Sequence, residues 1–197
     1  ETARPKTAPV YQPIFISSDN ILDFKHVEND FVDFTKQILL PHMLSTQGPH
    51  IASGDVNLDG LEDLFIGGAK GSAGKLFMQN KNGSFQLQVQ SCFEKDKVCE
   101  DIGALFFDAD LDKDPDLYVV SGGNEFPKES TELQDRFYLN NGKGVFTKTT
   151  DRLPVMLTSG SCVKAGDVDN DGDLDLVDVG TADQRLDLAA LDLQVDD

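Results

Sequence analysis

Three short windows hold the residues best placed to do chemistry. They run from Asp55 to Asp63, from Asp108 to Asp116 and from Asp167 to Asp175, and each sets an acid or amide at alternate positions. Calcium takes six to eight oxygen ligands at about 2.3–2.6 Å, and Asp or Asn at positions 1, 3 and 5 of a tight loop turns three side-chain oxygens toward one centre. Position 7, which is Leu61, Asp114 or Asp173, would add a backbone carbonyl. The Asp at position 9 would close the shell. The side-chain ligand sets expected are Asp55, Asn57, Asp59 and Asp63; Asp108, Asp110, Asp112 and Asp116; and Asp167, Asp169, Asp171 and Asp175. Up to three Ca²⁺ sites follow. Gly60 and Gly172 at position 6 permit a sharp turn, whereas Lys113 at that position and Pro115 at position 8 predict a weaker or distorted second site.

An EF-hand shares the first five positions but requires a bidentate Glu at position 12 and a helix on either side. Position 12 is Ile66, Val119 or Asp178. The run after position 9, Leu64-Phe65-Ile66 or Leu117-Tyr118-Val119-Val120, reads as a strand. An isolated acidic window is often a turn or a solvated face. Three in register, flanked by strands, argue for metal ligation.

The elements that position these loops repeat with them. Asp55, Asp108 and Asp167 open windows spaced by about 50 to 60 residues, a period of propeller blades rather than of helical solenoids. Between the loops, Lys75–Phe85 resembles Arg136–Phe146, each reading as strand, Asn/Gly turn and strand. Each unit is then two hairpins. The fold class expected is all-β, a partial β-propeller of four-stranded antiparallel blades with calcium-loop hairpins.

The chain divides on this basis into an extended arm with Pro5, Pro9 and Pro13 over 1–20, a linker or partial blade over 21–49, blade units over 50–101 and 102–160, the start of a third over 161–180, and an atypical tail over 181–197. In the second segment Phe24, Val27, Phe31, Phe34 and Ile38 fit part of a helical stripe, while Phe31–Phe34 also fits a strand. The tail loses the repeat and reads as a truncated blade or foreign sequence. Cys92 and Cys99 suggest a small disulfide loop, and Cys162 a buried small hydrophobe.

The loop pattern, the strand Ile102–Phe107 before Asp108 and the two Asn/Gly turns resemble the FG-GAP/VCBS repeat of integrin-α-like β-propellers. They are similar in particular to bacterial repeat proteins related to cartilage acidic protein and the ASPIC/UnbV group. The resemblance covers roughly residues 50 to 180. It implies calcium held in the hairpin loop between the first two strands of a blade, in secreted, periplasmic or surface-attached proteins. Propellers of that family usually have about seven blades. The chain is therefore expected to be a fragment, with open blade edges that favour self-association.

Composition narrows function further. Among 197 residues, 17 Lys and Arg face 35 Asp and Glu, and the net charge of −18 repels phosphate backbones, so no nucleic-acid partner is expected. No apolar run reaches the ~18 residues of a membrane span. The N-terminus shows no signal-peptide pattern. His26, His42 and His50 form no zinc motif, and Gly67–Lys75 lacks the first Gly and the Ser/Thr of a phosphate loop. No Gly-x-Ser-x-Gly elbow exists, so no catalytic residue is expected. The function expected is structural calcium binding that rigidifies hairpins for recognition of a protein or glycan. A polysaccharide-active propeller with its catalytic residues outside the chain is the alternative. Tight thrombospondin-like acidic repeats are a third reading, but those lack intervening strands.

Overall fold

The computed structural model describes residues 22–43, 45–168, 174–182 and 185–191; the expected arm over 1–20 lies outside them. Among the described residues eleven strands form three antiparallel sheets, each a meander in chain order. The first contains β1 (Ile51–Gly54), β2 (Asp63–Ile66), β3 (Lys75–Gln79) and β4 (Phe85–Gln88). The second contains β5 (Asp101–Phe107), β6 (Asp116–Ser121), β7 (Arg136–Leu139) and β8 (Thr147–Lys148). The third contains β9 (Gly160–Gly166), β10 (Asp175–Ala182) and β11 (Arg185–Leu191). In each sheet the acidic window is the turn of the first hairpin, with Gly54 opposite Asp63, Phe107 opposite Asp116 and Gly166 opposite Asp175.

The sheets pack face to face, and β5 lies beside both β1 and β9. Strand side chains alternate between two faces, so a central sheet must be apolar on both. All six residues of β6 are buried. Leu117 and Val119 join Ala52, Val56, Phe65 and Leu76 in one core, while Tyr118 and Val120 join Phe137, Val163 and Leu176 in the other. The short helix α1 (Ser91–Lys95) crosses between the first two sheets and delivers Phe93. Its ring stands edge-on to Phe65 at 5.3 Å and to Tyr138 at 5.0 Å.

A buried polar joint reinforces the same interface. Asp101 receives Arg136 Nη2 at 2.6 Å and the Gly68 amide at 2.7 Å, while Arg136 Nε donates to Ser121 Oγ at 3.1 Å. Burial opposes the guanidinium charge, but the Asp101 carboxylate beside it holds Arg136 above its usual range. Removing one partner of such a pair leaves an uncompensated charge, which is why both are held so completely.

Three expectations need correction. The stripe Phe24–Ile38 forms neither helix nor strand; the described part of 22–49 is irregular apart from a 3₁₀ turn at Asp33–Thr35. Its anchor is polar: fully buried Asp33 accepts the Ser45 amide and hydroxyl at 2.9 and 2.8 Å and Asn124 Nδ2 at 2.9 Å. Cys92 and Cys99 are free thiols; Cys92 Sγ lies 3.4 Å from the Phe146 carbonyl, and Cys99 is buried. Cys162 is exposed, because β9 alternates and its Val163 takes the inner face. Of the two readings of the tail the strands fit the truncated blade, since β10 runs to Ala182 and β11 pairs with it from Arg185 to Leu191.

Phe93 fills the space where two sheets and a helix meet, so Phe93→Ala is expected to cost about 3–5 kcal/mol. Urea unfolding at fixed calcium measures it. A loss below about 1 kcal/mol would show that the interface does not depend on this ring.

Candidate metal centre

The first two loops share one backbone signature. Position 4 is left-handed in both, at Leu58 and Leu111 with φ of 60°, and position 6 is left-handed too, with Gly60 at 85° and Lys113 at 78°. The expected distortion of the second loop is thus absent from its turn; Lys113 takes the conformation that glycine takes in the first. A non-glycine residue there is strained by contact of its Cβ with the following carbonyl.

Asp55 binds the turn from within, its two oxygens accepting the Asp59 amide at 3.0 Å and the Gly60 amide at 2.7 Å. Asn57 Oδ1 also accepts the Asp59 amide at 3.0 Å, its Nδ2 donates to Asp59 Oδ2 at 3.1 Å, and Asp59 Oδ1 accepts the Leu61 amide at 3.0 Å. The second loop repeats this in part: Asp108 Oδ2 accepts the Lys113 amide and Asp112 Oδ1 the Asp114 amide, each at 3.0 Å. Here one oxygen each from Asp108, Asp110 and Asp112 lies within 4.8 Å of the others, a group able to hold a metal ion. Of the third loop, Asp169, Asp171 and Asp173 lie outside the described residues, whereas Asp167 follows β9 and Asp175 opens β10.

Position 9 has a task that the spacing alone does not reveal. Asp63 and Asp116, 0% and 1% exposed, accept backbone amides on both oxygens. Oδ2 takes the amide of position 2, from Val56 at 3.1 Å and from Ala109 at 3.2 Å. Oδ1 takes the amide at the end of the third strand or just after it, from Gln79 or Asn140, both at 2.8 Å. Asp175 Oδ2 accepts Val168 in the same way at 2.8 Å. Burial pushes both carboxyls up, Asp116 to about 7, with the accepted amides opposing the shift.

Asp114 also departs from expectation. The carbonyl of position 7 was the expected donor, yet its carboxylate is itself buried at 5% exposure, and burial followed by Asp112 and Asp110 pushes it up to about 6. Asp114 Oδ1 and Asp108 Oδ1 are buried without a hydrogen-bond partner. Buried carboxylate oxygens lacking a donor are costly unless a positive charge meets them. An all-oxygen set suits calcium or magnesium rather than zinc.

The other ends of β1, β5 and β9 meet at a cavity of about 370 Å³ lined by His50, Glu100, Asn124 and Ser159 among others. Glu100 is 8% exposed and accepts the Lys70 amide at 2.6 Å. Burial first, then the Glu125, Glu28 and Asp101 charges, push its carboxyl up to about 7 against the opposing amide. Nothing in its sequence context marked this residue.

Consecutive four-stranded meanders stacked face to face, each with an acidic loop in its first hairpin, define a repeat domain of β-propeller type. The chain matches the FG-GAP-like repeat over residues 55–119 and again over 108–177, more than half of its length, and it belongs to that family. Among curated proteins none matches it.

Two measurements bear on these details. Lys113→Gly, freed of left-handed strain, is expected to raise stability by about 1 kcal/mol in urea unfolding; an unchanged or lower midpoint would mean that the lysine is unstrained. Glu100 has a folded pKa above its ordinary 4.5, so its stabilising contribution is complete below that value and is lost as pH rises through about 7. Glu100→Gln should therefore gain on the parent between pH 5 and pH 8. A difference constant with pH would refute that assignment.

Proposed function

We propose that the chain is a non-catalytic, calcium-binding part of a secreted, periplasmic or cell-surface β-propeller, in which the ion stiffens each first hairpin so that other loops present a protein- or glycan-binding surface. The carrying observation is the unpartnered Asp108 and Asp114 oxygens beside the Asp108–Asp110–Asp112 group. Asp108, Asp110, Asp112 and Asp114 would hold the ion in the second loop, with Asp116 completing the set. Asp55, Asn57 and Asp59 would do so in the first, with the Leu61 carbonyl and Asp63 completing the set, and Asp167, Asp169, Asp171, Asp173 and Asp175 in the third. Bound calcium supplies charge neutralisation where carboxylates otherwise repel one another.

Family membership supports the extracellular assignment, since propellers with FG-GAP repeats are typical of such proteins. No helix among the described residues is long and apolar enough to cross a membrane. The net charge of −18 disfavours nucleic acid as the partner. Open blade edges favour self-association or union with further blades. Extracellular sites of about 10⁻⁴ to 10⁻³ M affinity would stay filled and act constitutively.

Thermal unfolding in EDTA, then in rising calcium with magnesium as the control, tests the reading. A ligand bound only by the folded state stabilises it by about 2.7 kcal/mol at 100 times Kd. The expected result is a calcium-selective rise in Tm, abolished when Asp59, Asp112 and Asp171 are replaced by Ala. A folded protein whose Tm ignores calcium would sink the proposal.

A further inference from the structure

The two described loops are joined by one side-chain amide. Asn140, just after β7, donates from Nδ2 to the Val56 carbonyl at 2.8 Å and to the Pro115 carbonyl at 3.1 Å. Val56 is position 2 of the first loop and Pro115 is position 8 of the second. The Asn140 backbone amide donates to Asp116 Oδ1 at 2.8 Å, and its Oδ1 accepts the Asn141 amide at 2.8 Å, which leaves Nδ2 facing the two carbonyls. Gly144, in the same turn, adds a second bond to the Val56 carbonyl at 2.9 Å. Val56 is wholly buried and its own amide is taken by Asp63. Its amide is thus bonded within its own loop and its carbonyl to the neighbouring sheet.

We propose that Asn140 couples the two loops, so that a cation in either one raises the affinity of the other. This rests on the calcium reading above. The route is short. Val56 stands between Asp55 and Asn57, and Pro115 between Asp114 and Asp116, so an ion that orders either loop fixes a carbonyl that Asn140 holds. Fixing one carbonyl orders the shared amide and lowers the entropy still to be lost at the other loop. Such coupling is reciprocal: each ion changes the other's affinity by the same factor. Direct repulsion between two bound cations acts in the opposite sense, but it does not depend on Asn140, so a cycle of variants separates the two.

The test is calcium titration of the ¹⁵N-labelled 197-residue chain, with the Gly60 amide reporting the first loop and the Lys113 amide the second. Asp59→Ala disables the first loop. With Asn140 in place this is expected to weaken calcium at the second loop about fivefold or more, and Asp112→Ala should weaken the first loop by the same factor. In an Asn140→Ala background the effect of Asp59→Ala is expected to fall below about twofold. Asn140→Asp, which keeps the backbone N–H and the Oδ1 acceptor but loses both Nδ2 donors, should behave alike and serves if the Ala variant fails to fold. An effect of Asp59→Ala that is absent in the parent, or equal with and without the Asn140 change, overturns the coupling while leaving the calcium reading intact. If calcium moves neither amide in the parent, the calcium reading falls and the coupling falls with it.

Discussion

Everything around the acidic loops depends on carboxylates removed from water. Asp63 and Asp116 reach almost complete burial only because each receives two backbone amides, one from within its loop and one from the end of the third strand or just beyond it. A buried acceptor with two donors of fixed direction sets geometry as firmly as a covalent brace, since leaving either unmet costs the desolvation of a charged group. The turn must therefore wrap around this carboxylate. In the second loop, that wrapping brings the oxygens of positions 1, 3 and 5 together.

The same economy of satisfied polar groups governs the contacts between sheets. A sheet buried on both faces has no room for an unpaired charge, and the Asp101–Arg136 pair is admitted only with Gly68 and Ser121 meeting its remaining atoms. Dispersion and apolar burial do most of the joining, through Phe93, Phe65 and Tyr138 on one side and Phe137, Val163 and Leu176 on the other. Polar links such as Asn140 and Asp33 then set register between elements that apolar packing alone would let slide.

Much of this is legible in the sequence because it is periodic. Alternating Asp, apolar strand residues and Asn/Gly turns carry local signals, and those signals suffice to define the hairpins and the blade type. What is not legible depends on contacts between residues far apart in the chain. Asn140 reads as a turn residue, and nothing local tells that its amide reaches Val56, 84 positions away. Asp33 lies in an apolar stripe whose helical period the fold ignores, since Ser45 and Asn124 meet its carboxylate better than a helix would. Strand β11 of the third sheet is hidden for another reason: Arg185–Leu191 lacks the aromatic that marks the equivalent strand elsewhere, and pairing with β10 supplies what composition does not.

Residue types and side-chain geometry weigh the two described loops differently. Gly60 marks the first loop as the better site, and Lys113 and Pro115 mark the other as compromised. Yet in the first loop both Asp55 oxygens, the Asn57 amide and both Asp59 oxygens find partners within the turn, so that loop is close to satisfied by its own groups. The second contains a carboxylate in place of Asn57 and another in place of Leu61, and it buries two oxygens that no donor meets. The Lys113 amide holds Asp108 in that crowded arrangement, as the Gly60 amide holds Asp55 in the first loop. By charge density the second loop is the one whose carboxylates a cation would offset most.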